Sequence, residues 1–395
     1  MRKDIFPELK KQLMERLRME QELGDEQVLE EIDLVIEEAG RIYFLPLTER
    51  ERLRRELFFS LRRLDVLQEL VEDPSVTEIM VNGYEKIFVE RGGRVEKWEK
   101  KFTSREKLED VIQQIVGRCN RTVNENDPIV DARLENGDRV NVVLPPVALD
   151  GAILTIRRFP EQKITMDQLL AWESISREAA EFLGRLVKAG YSILIGGGTS
   201  TGKTTFLNAL SDFIPKGERI ITIEDNAELQ IQGVENLVRL EVKKAVMEGT
   251  REVSIRDLIR TALRMRPDRI IVGEVRGEEA VDLLQAWNTG HEGSLGTIHA
   301  NSCRDMISRL ETMVLMGIQL PAEAIRRQIA AGVEILVHLG RRSRKRRVLE
   351  IAQTAGYQEG EVCVKTLYAW NDRLGILEQR GELLNREKLE RGQEE

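Results

Sequence analysis

Residues 197 to 204 of the chain read GGTSTGKT and fit the spacing G-x-x-x-x-G-K-[ST]. Gly197, Gly198 and Gly202 let a backbone curl until successive N–H groups point inward, and a helix opening at Lys203 adds positive potential from its unpaired first amides. Such a cradle grips phosphates. Thr199, Ser200 and Thr201 complete it. The Lys203 ammonium is placed to reach the β- and γ-phosphate oxygens of ATP, the Thr204 hydroxyl to ligate Mg²⁺, and Thr205 to continue the first helical turn. The bland alternative is a chance glycine-rich turn. The flanks weigh against it, because Ile193 to Gly196 read as the end of a buried strand and Thr205 to Leu210 as a helix.

Three further clusters carry polar chemistry. Arg219 to Ile223 is an apolar strand ending in Glu224-Asp225, with Glu228 three residues on. Adjacent carboxylates at a strand end are usually a solvated turn; beside a phosphate loop they are candidates to hold Mg²⁺ through its waters. Asp268 to Glu274 reads as a strand followed by an acid. Gly273 stands where many phosphate-loop enzymes carry an Asp for Mg²⁺, which leaves that role to Glu224 or Asp225. Glu274 is then the group that orients and polarises an attacking water. Finally, two of the chain's three histidines, His291 and His299, stand eight residues apart. A lone histidine is more often a satisfied core or surface group. At the end of a strand, however, His299 is a candidate to touch a γ-phosphate or Glu274 and report on the bound nucleotide; His291 is a candidate nucleotide contact.

These groups need elements to position them. Residues 1–70 read as helices: Leu9, Leu13 and Leu17 recur every four residues, Val28, Leu29, Ile32, Val35 and Ile36 mark a second face after Gly24-Asp25, and a third helix with Leu53, Leu57, Leu61 and Leu64 inside is expected to start at a Thr48/Glu51 capping box. Residues 71–158 read as a small α+β domain. Its expected strands are Val76 to Val81, Lys86 to Glu90, and shorter ones around Ala132-Arg133-Leu134, Val140 to Val143 and Ile153 to Ile156, with a helix from Ser104 to Cys119. Residues 159–168, with Pro160, read as a linker. In 169–395, helices alternate with the apolar segments Ser192 to Ile195, Arg219 to Ile223, Asp268 to Val272, Ser294 to Ile298 and Val333 to Val337, which predicts an α/β domain with a mainly parallel sheet. Ligands bind at the carboxyl ends of such strands, where each motif falls.

Composition narrows the class. A chain of 395 residues has room for two or three cored domains, and 41% hydrophobic with 32% charged residues is a soluble globular balance. A net charge of -8 gives no overall attraction to nucleic acid, so no stable nucleic-acid binding is expected. Cys119, Cys303 and Cys363 lie far apart with no C-x-x-C pair, which argues against a zinc site or a disulfide framework and for a reducing cytoplasm. No apolar run approaches the ~20 residues needed to span a bilayer, and no signal peptide is visible at Met1 to Pro7.

Taken together, GGTSTGKTT, ITIEDNAEL (Ile221 to Leu229), RPDRIIVGEVRGEEA and TGHEGSLGTIHAN, with Pro74 to Gly83 and DARLENGDRVNVVLPPVALDG upstream, resemble the type II/IV secretion and pilus-assembly ATPase superfamily, in its Flp/Tad pilus-assembly branch. The match runs from about Asp73 to His338. The resemblance implies a RecA-like ATPase domain preceded by an α+β, PAS-like domain, in a homo-hexamer that uses ATP and Mg²⁺ at the cytoplasmic face of the inner membrane, held there by a membrane platform protein. It also implies arginines that approach the nucleotide, at Arg133, Arg139 and Arg157; pairing with surface carboxylates is their plain alternative. The implied work is filament assembly or protein export. Its rivals are conjugative type IV (VirB11-like) traffic and a nucleotide-gated scaffold with little turnover, which Gly273 keeps open. The run Arg341 to Arg347 is a candidate contact for acidic partners or lipid head groups, or a solvated loop.

Overall fold

The computed structural model describes residues 5–17, 23–119, 121–134, 136–158, 163–243, 252–343 and 345–391. The chain forms two compact units, Met1–Glu161 and Gln162–Glu395.

In the first unit, helices α1 (Phe6–Leu17), α2 (Asp25–Ile42) and α3 (Leu47–Arg62) bury Leu9, Leu13, Val28, Ile32, Val35, Ile36, Leu53 and Leu57 against one another. The expected stripes are the faces that meet. The start of α3 differs from expectation: Pro46 is its N-cap and no side chain caps it, so Thr48 lies inside the first turn and the Thr48/Glu51 box does not form. Pro46, at φ -60°, already delivers the chain in a geometry that leads into the helix.

A 3-10 turn at Asp65–Leu67 and α4 (Gln68–Glu72) lead into an antiparallel sheet of β1 (Val76–Asn82), β2 (Lys86–Arg91), β3 (Arg94–Lys97), β4 (Ile129–Arg133), β5 (Arg139–Val143) and β6 (Ile153–Arg157), in the order β3-β2-β1-β6-β5-β4. The unexpected β3 is exposed at every position, so it carries no apolar alternation to read. Helix α5 (Arg105–Arg118), capped by the Ser104 hydroxyl accepting from the Lys107 amide, packs Leu108, Val111, Ile112 and Ile115 into the core shared with Val140, Val142, Leu154 and Ile156.

The register of this sheet aligns three arginines. Arg133 faces Arg139, and Arg139 faces Arg157, as direct cross-strand pairs, with Glu78 of β1 opposite Arg157. Direct partners share a face, and this face is turned away from the core because the alternate residues Val140, Val142, Leu154 and Ile156 are the buried ones.

In the second unit, α6 (Met166–Ala171) opens within the segment expected as a linker; residues 163–165 before it have no regular structure, and 159–162 lie outside the described residues. There follow α7 (Arg177–Lys188), β7 (Ile193–Gly197), α8 (Lys203–Ser211), β8 (Ile220–Glu224), β9 (Leu237–Glu241), α9 (Ile255–Ala262), β10 (Arg269–Val275), α10 (Ala280–Asn288), β11 (Leu295–Ile298), α11 (Cys303–Gly317), α12 (Ala322–Gly332), β12 (Ile335–Arg342), β13 (Lys345–Gln358), β14 (Glu361–Asn371), β15 (Ile376–Gln379) and α13 (Glu387–Arg391). They build one nine-stranded sheet in the order β15-β14-β13-β12-β7-β11-β10-β8-β9.

From β12 to β9 every neighbouring pair is parallel; from β12 to β15 every pair is antiparallel, so the sheet is mixed. The five expected strands, joined by the unexpected β9, make up the parallel part, whose members β7, β8 and β11 are buried at every residue. Burial on both faces is why they read as continuous apolar runs. One face carries Leu183, Leu186, Phe206, Leu207 and Leu210; the other carries Ile259, Leu283, Leu284, Leu310 and Ile329.

Candidate active site

The loop between β7 and α8 is shaped by close contacts. A Cβ on Gly197 would come within 2.5 Å of Thr201 Oγ1 and 2.7 Å of the Leu339 carbonyl oxygen, and Gly202 adopts φ +93°. Only glycine fits both demands cheaply. Thr199 and Ser200 are exposed at the crest, while Thr204 and Thr205 are half-buried in the first turn of α8. The Lys203 side chain folds back over its own loop: Nζ donates to the Gly197 and Gly198 carbonyls at 3.2 Å each. Burial lowers its affinity for a proton, and the nearby Glu274 carboxylate acts in the opposite sense.

A break in strand register brings Glu274 to this loop. Val272 pairs with Gly296 and Val275 with Ile298, so three steps along β10 match two along β11. That bulge puts both Val272 and Val275 into the same core layer and turns Glu274 out toward the loop. Thr297 Oγ1 donates to the Gly273 carbonyl at 2.6 Å and fixes the bulge.

Around Glu274 the polar groups form a chain. His299 Nε2 lies 2.6 Å from Glu274 Oε1, a close contact whose angle falls outside hydrogen-bond geometry, and Lys203 Nζ lies 3.7 Å from the same oxygen. Lys203 Nζ is also 3.3 Å from His299 Nδ1. Burial lowers the His299 pKa below its ordinary 6.5, against the pull of Glu274. In a neutral ring with its proton on Nε2, Nδ1 accepts from the Lys203 ammonium, and the N–H edge lies against Glu274 Oε1 without a hydrogen bond to it. On the far side, Arg276 Nε donates to Glu274 Oε2 at 2.6 Å, and Arg276 Nη1 reaches Asp225 Oδ2 at 3.4 Å. The Glu279 carboxylate accepts from the Arg276 and Gly277 amides at 2.6 and 2.9 Å and so orients the arginine.

The two neighbouring acids of β8 have different surroundings. Glu224 is 3% exposed; its Oε1 accepts from the Glu228 and Leu229 amides at 2.7 and 2.8 Å, and its Oε2 is buried without a hydrogen-bond partner. A Cβ on residue 273 would meet Glu224 Cγ at 2.9 Å, so Gly273 is the space that Glu224 fills. Asp225 stays half-exposed beside Arg276. Asn208 of α8 ties down the loop beyond them, its Oδ1 accepting from the Gln230 amide at 2.8 Å.

Burial pushes the Glu224 carboxyl from 4.5 up to about 7, against the two amides that favour its charge. The folded chain therefore binds more protons at Glu224 than the unfolded chain between pH 4.5 and about 7. This group's contribution to stability is present at pH 4.5 and is lost as pH rises through about 7, at about 1.36 kcal/mol per pH unit of displacement, a few kcal/mol at most. Glu224→Gln keeps an amide acceptor without titrating. Denaturant unfolding at pH 5 and pH 8 is expected to show a smaller difference in the variant; an equal difference in both proteins refutes this account.

His291 is not brought to the loop. It sits before the amino end of β11, opposite to His299, where its Nδ1 lies 3.3 Å from the Ala286 carbonyl and its own carbonyl accepts from the Ser294 hydroxyl at 2.8 Å. A four-residue strand separates the two histidines. The spacing of His291 in sequence gave no warning of this, because a parallel strand carries its two ends to opposite edges of the sheet. Conversely, Arg276, Thr297 and Asn208 were not singled out in the sequence. Arg276 had one signal: it is two residues from Glu274 on an extended segment.

The residue set bears on Mg²⁺ as well. Among the described residues no group of three or more His, Cys, Asp and Glu side chains converges to hold a metal. The Thr204 hydroxyl and the half-exposed Asp225 carboxylate are oxygen donors of the kind that a hard cation such as Mg²⁺ prefers.

The family model of the type II/IV secretion system protein matches residues 61–380. The chain belongs to that family. Its site is that of an ATPase. A Mycobacterium tuberculosis protein provisionally named for conjugal transfer is 35% identical over 329 residues, 82% of this chain and 92% of the relative. The Bordetella pertussis type IV secretion system protein PtlH is 32% identical over 322 residues, 73% of this chain and 93% of the relative. Among solved structures, the pilus retraction motor PilT with bound ADP is 21% identical and covers 84% of this chain and 87% of its own, with a TM-score of 0.54, a likeness of fold. Secretion-family membership thus stands on sequence across both units.

Proposed function

We propose that the chain is a motor that hydrolyses ATP with Mg²⁺ and converts the release of phosphate into work on a membrane-bound secretion or pilus-assembly machine. The observation that carries this is the convergence of Lys203, His299 and Glu274 within 3.7 Å at the mouth of the phosphate loop. Lys203 and the loop amides hold the phosphates of ATP, and Glu274 accepts a proton from the attacking water. Arg276 fixes the carboxylate through Oε2, and the His299 ring packs against Oε1. Thr204 and Asp225 are the groups that would hold Mg²⁺, with Glu224 supporting the Asp225 loop from behind. The ion supplies charge neutralisation on the phosphates.

The arginine row of the first unit extends this reading. Arg133, Arg139 and Arg157 stand in one row on the face turned away from the core, where their guanidinium groups are within reach of an anionic ligand. Their role is to bring positive charge to the nucleotide phosphates in the course of turnover. The chain works as a homo-hexamer at the cytoplasmic face of the inner membrane and is held there by a platform protein. No helix among the described residues is long and apolar enough to cross a membrane.

Assembly of a Flp/Tad-type pilus is the reading that the motifs favour. Conjugative traffic is the second reading, and the names of the relatives favour it. Steady-state Mg-ATP hydrolysis, with and without single-stranded DNA, tests both. Measurable turnover indifferent to DNA supports pilus or protein export; stimulation that falls steeply with salt supports the conjugative reading. A folded protein that binds ATP and never turns it over refutes the motor.

A further inference from the structure

The basic run at 341–347 falls in a place that its composition did not disclose. Strands β7 and β12 are parallel, with His338 opposite Gly196 and Leu339 opposite Gly197. At Gly197 the chain of β7 bends away into the phosphate loop, while β12 runs on for the three residues Gly340, Arg341 and Arg342, about 10 Å. It then turns back as β13, with Arg341 opposite Arg346 and Arg342 opposite Lys345. The tip of this hairpin therefore lies alongside the loop.

The hairpin sorts its cations by face. Lys345 and Arg347 share one face, and both hold Glu173, at 2.8 and 3.2 Å. The Arg347 guanidinium also stacks 4.6 Å over the Trp370 ring. That face anchors the hairpin. Arg341 and Arg346, a direct pair on the opposite face, turn toward the loop: Arg341 Nη2 donates to the Ser200 carbonyl at 3.2 Å, and Arg346 Cδ would lie 3.7 Å from a Cβ on Gly202. Both are solvent-exposed at the loop crest, where a phosphate can reach them.

The strand order says which phosphate. Glu274 and His299 reach the loop from β10 and β11, on one side of β7, and β12 is its neighbour on the other side. The bond to be cleaved lies with Glu274. The hairpin accordingly faces the part of the nucleotide that survives hydrolysis. We propose that Arg341 and Arg346 are nucleotide-positioning residues that bind the non-transferred α- and β-phosphates of ATP and ADP alike. This rests on the reading of Gly197 to Thr204 as the nucleotide cradle.

The test measures dissociation constants for ATP and ADP by calorimetry on the full chain and on R341A/R346A, with R342A as a control on the same hairpin. Circular dichroism melts establish that each variant is folded, and Arg341→Lys in the R346 background replaces the planar fork with a point charge should the double variant not fold. The expected result is a loss of about tenfold or more for both nucleotides, by similar factors, in R341A/R346A and a smaller loss in Arg341→Lys. R342A is expected to bind as wild type does. In steady state KM rises while kcat stays close to wild type, a split that a merely structural role does not produce. Unchanged affinities in a folded R341A/R346A overturn the proposal, and so does a loss confined to ATP. A wild-type chain that binds neither nucleotide sinks the phosphate-loop reading itself, which is a different failure.

Discussion

Replacing Glu274 with Gln is expected to lower kcat for ATP hydrolysis by about 10²- to 10⁴-fold, the range for removal of a positioned general base. The glutamine preserves shape and reach but has no carboxylate to accept the proton of water. It also removes a negative charge 3.7 Å from Lys203, next to where anionic phosphates bind. ATP affinity is therefore expected to hold or improve, and any loss stays within about threefold, as for an interaction made only in the transition state. Single-turnover hydrolysis together with binding of labelled ATP separates the two quantities. Wild-type turnover in the variant would remove Glu274 from the chemistry. His299→Asn is the companion variant: its defect traces to a misplaced Glu274, since the ring touches Glu274 Oε1 at 2.6 Å and Lys203 at 3.3 Å.

Lys203→Ala is expected to weaken ATP binding by about 10- to 100-fold, corresponding to ~1.5–3 kcal/mol for a hydrogen bond to a charged group, and to take turnover below detection. The ammonium rests on the Gly197 and Gly198 carbonyls in a residue that is 8% exposed, so a phosphate oxygen at the loop would replace neutral acceptors without moving the lysine out of its niche. Lys203→Arg is not a rescue, because the buried niche is sized for one nitrogen and the planar guanidinium needs a wider opening. Titration calorimetry of the two variants against Mg-ATP checks both statements. Appreciable hydrolysis by Lys203→Ala would mean that the phosphates are held elsewhere.

Much of the second unit was legible in the amino-acid sequence because parallel strands buried on both faces must be apolar throughout. Ile193 to Ile195, Ile220 to Ile223 and Leu295 to Ile298 announce themselves in that way. The phosphate loop was legible for a related reason. Its glycines are imposed by backbone geometry within eight residues, as the close approaches at Gly197 and the positive φ at Gly202 bear out. A helix start with a side-chain cap, at Ser104, was local too. Thr48 had the same local pattern and failed, since Pro46 starts the helix first.

The sequence by itself determined which residue types gather at strand ends: a lysine, several acids, two histidines, a run of arginines. Only the tertiary structure decided which of them meet. A one-residue bulge turns Glu274 toward Lys203, while the sheet carries His299 to the loop and His291 to the opposite edge. Antiparallel register lines up Arg133, Arg139 and Arg157, and the overrun of β12 past β7 delivers Arg341 to Ser200. The physical reason is common to all four. Local geometry depends on neighbours a few residues away, whereas register, bulges and strand order are fixed by pairing between segments up to about 140 residues apart, such as Ser200 and Arg341, and no short stretch contains them.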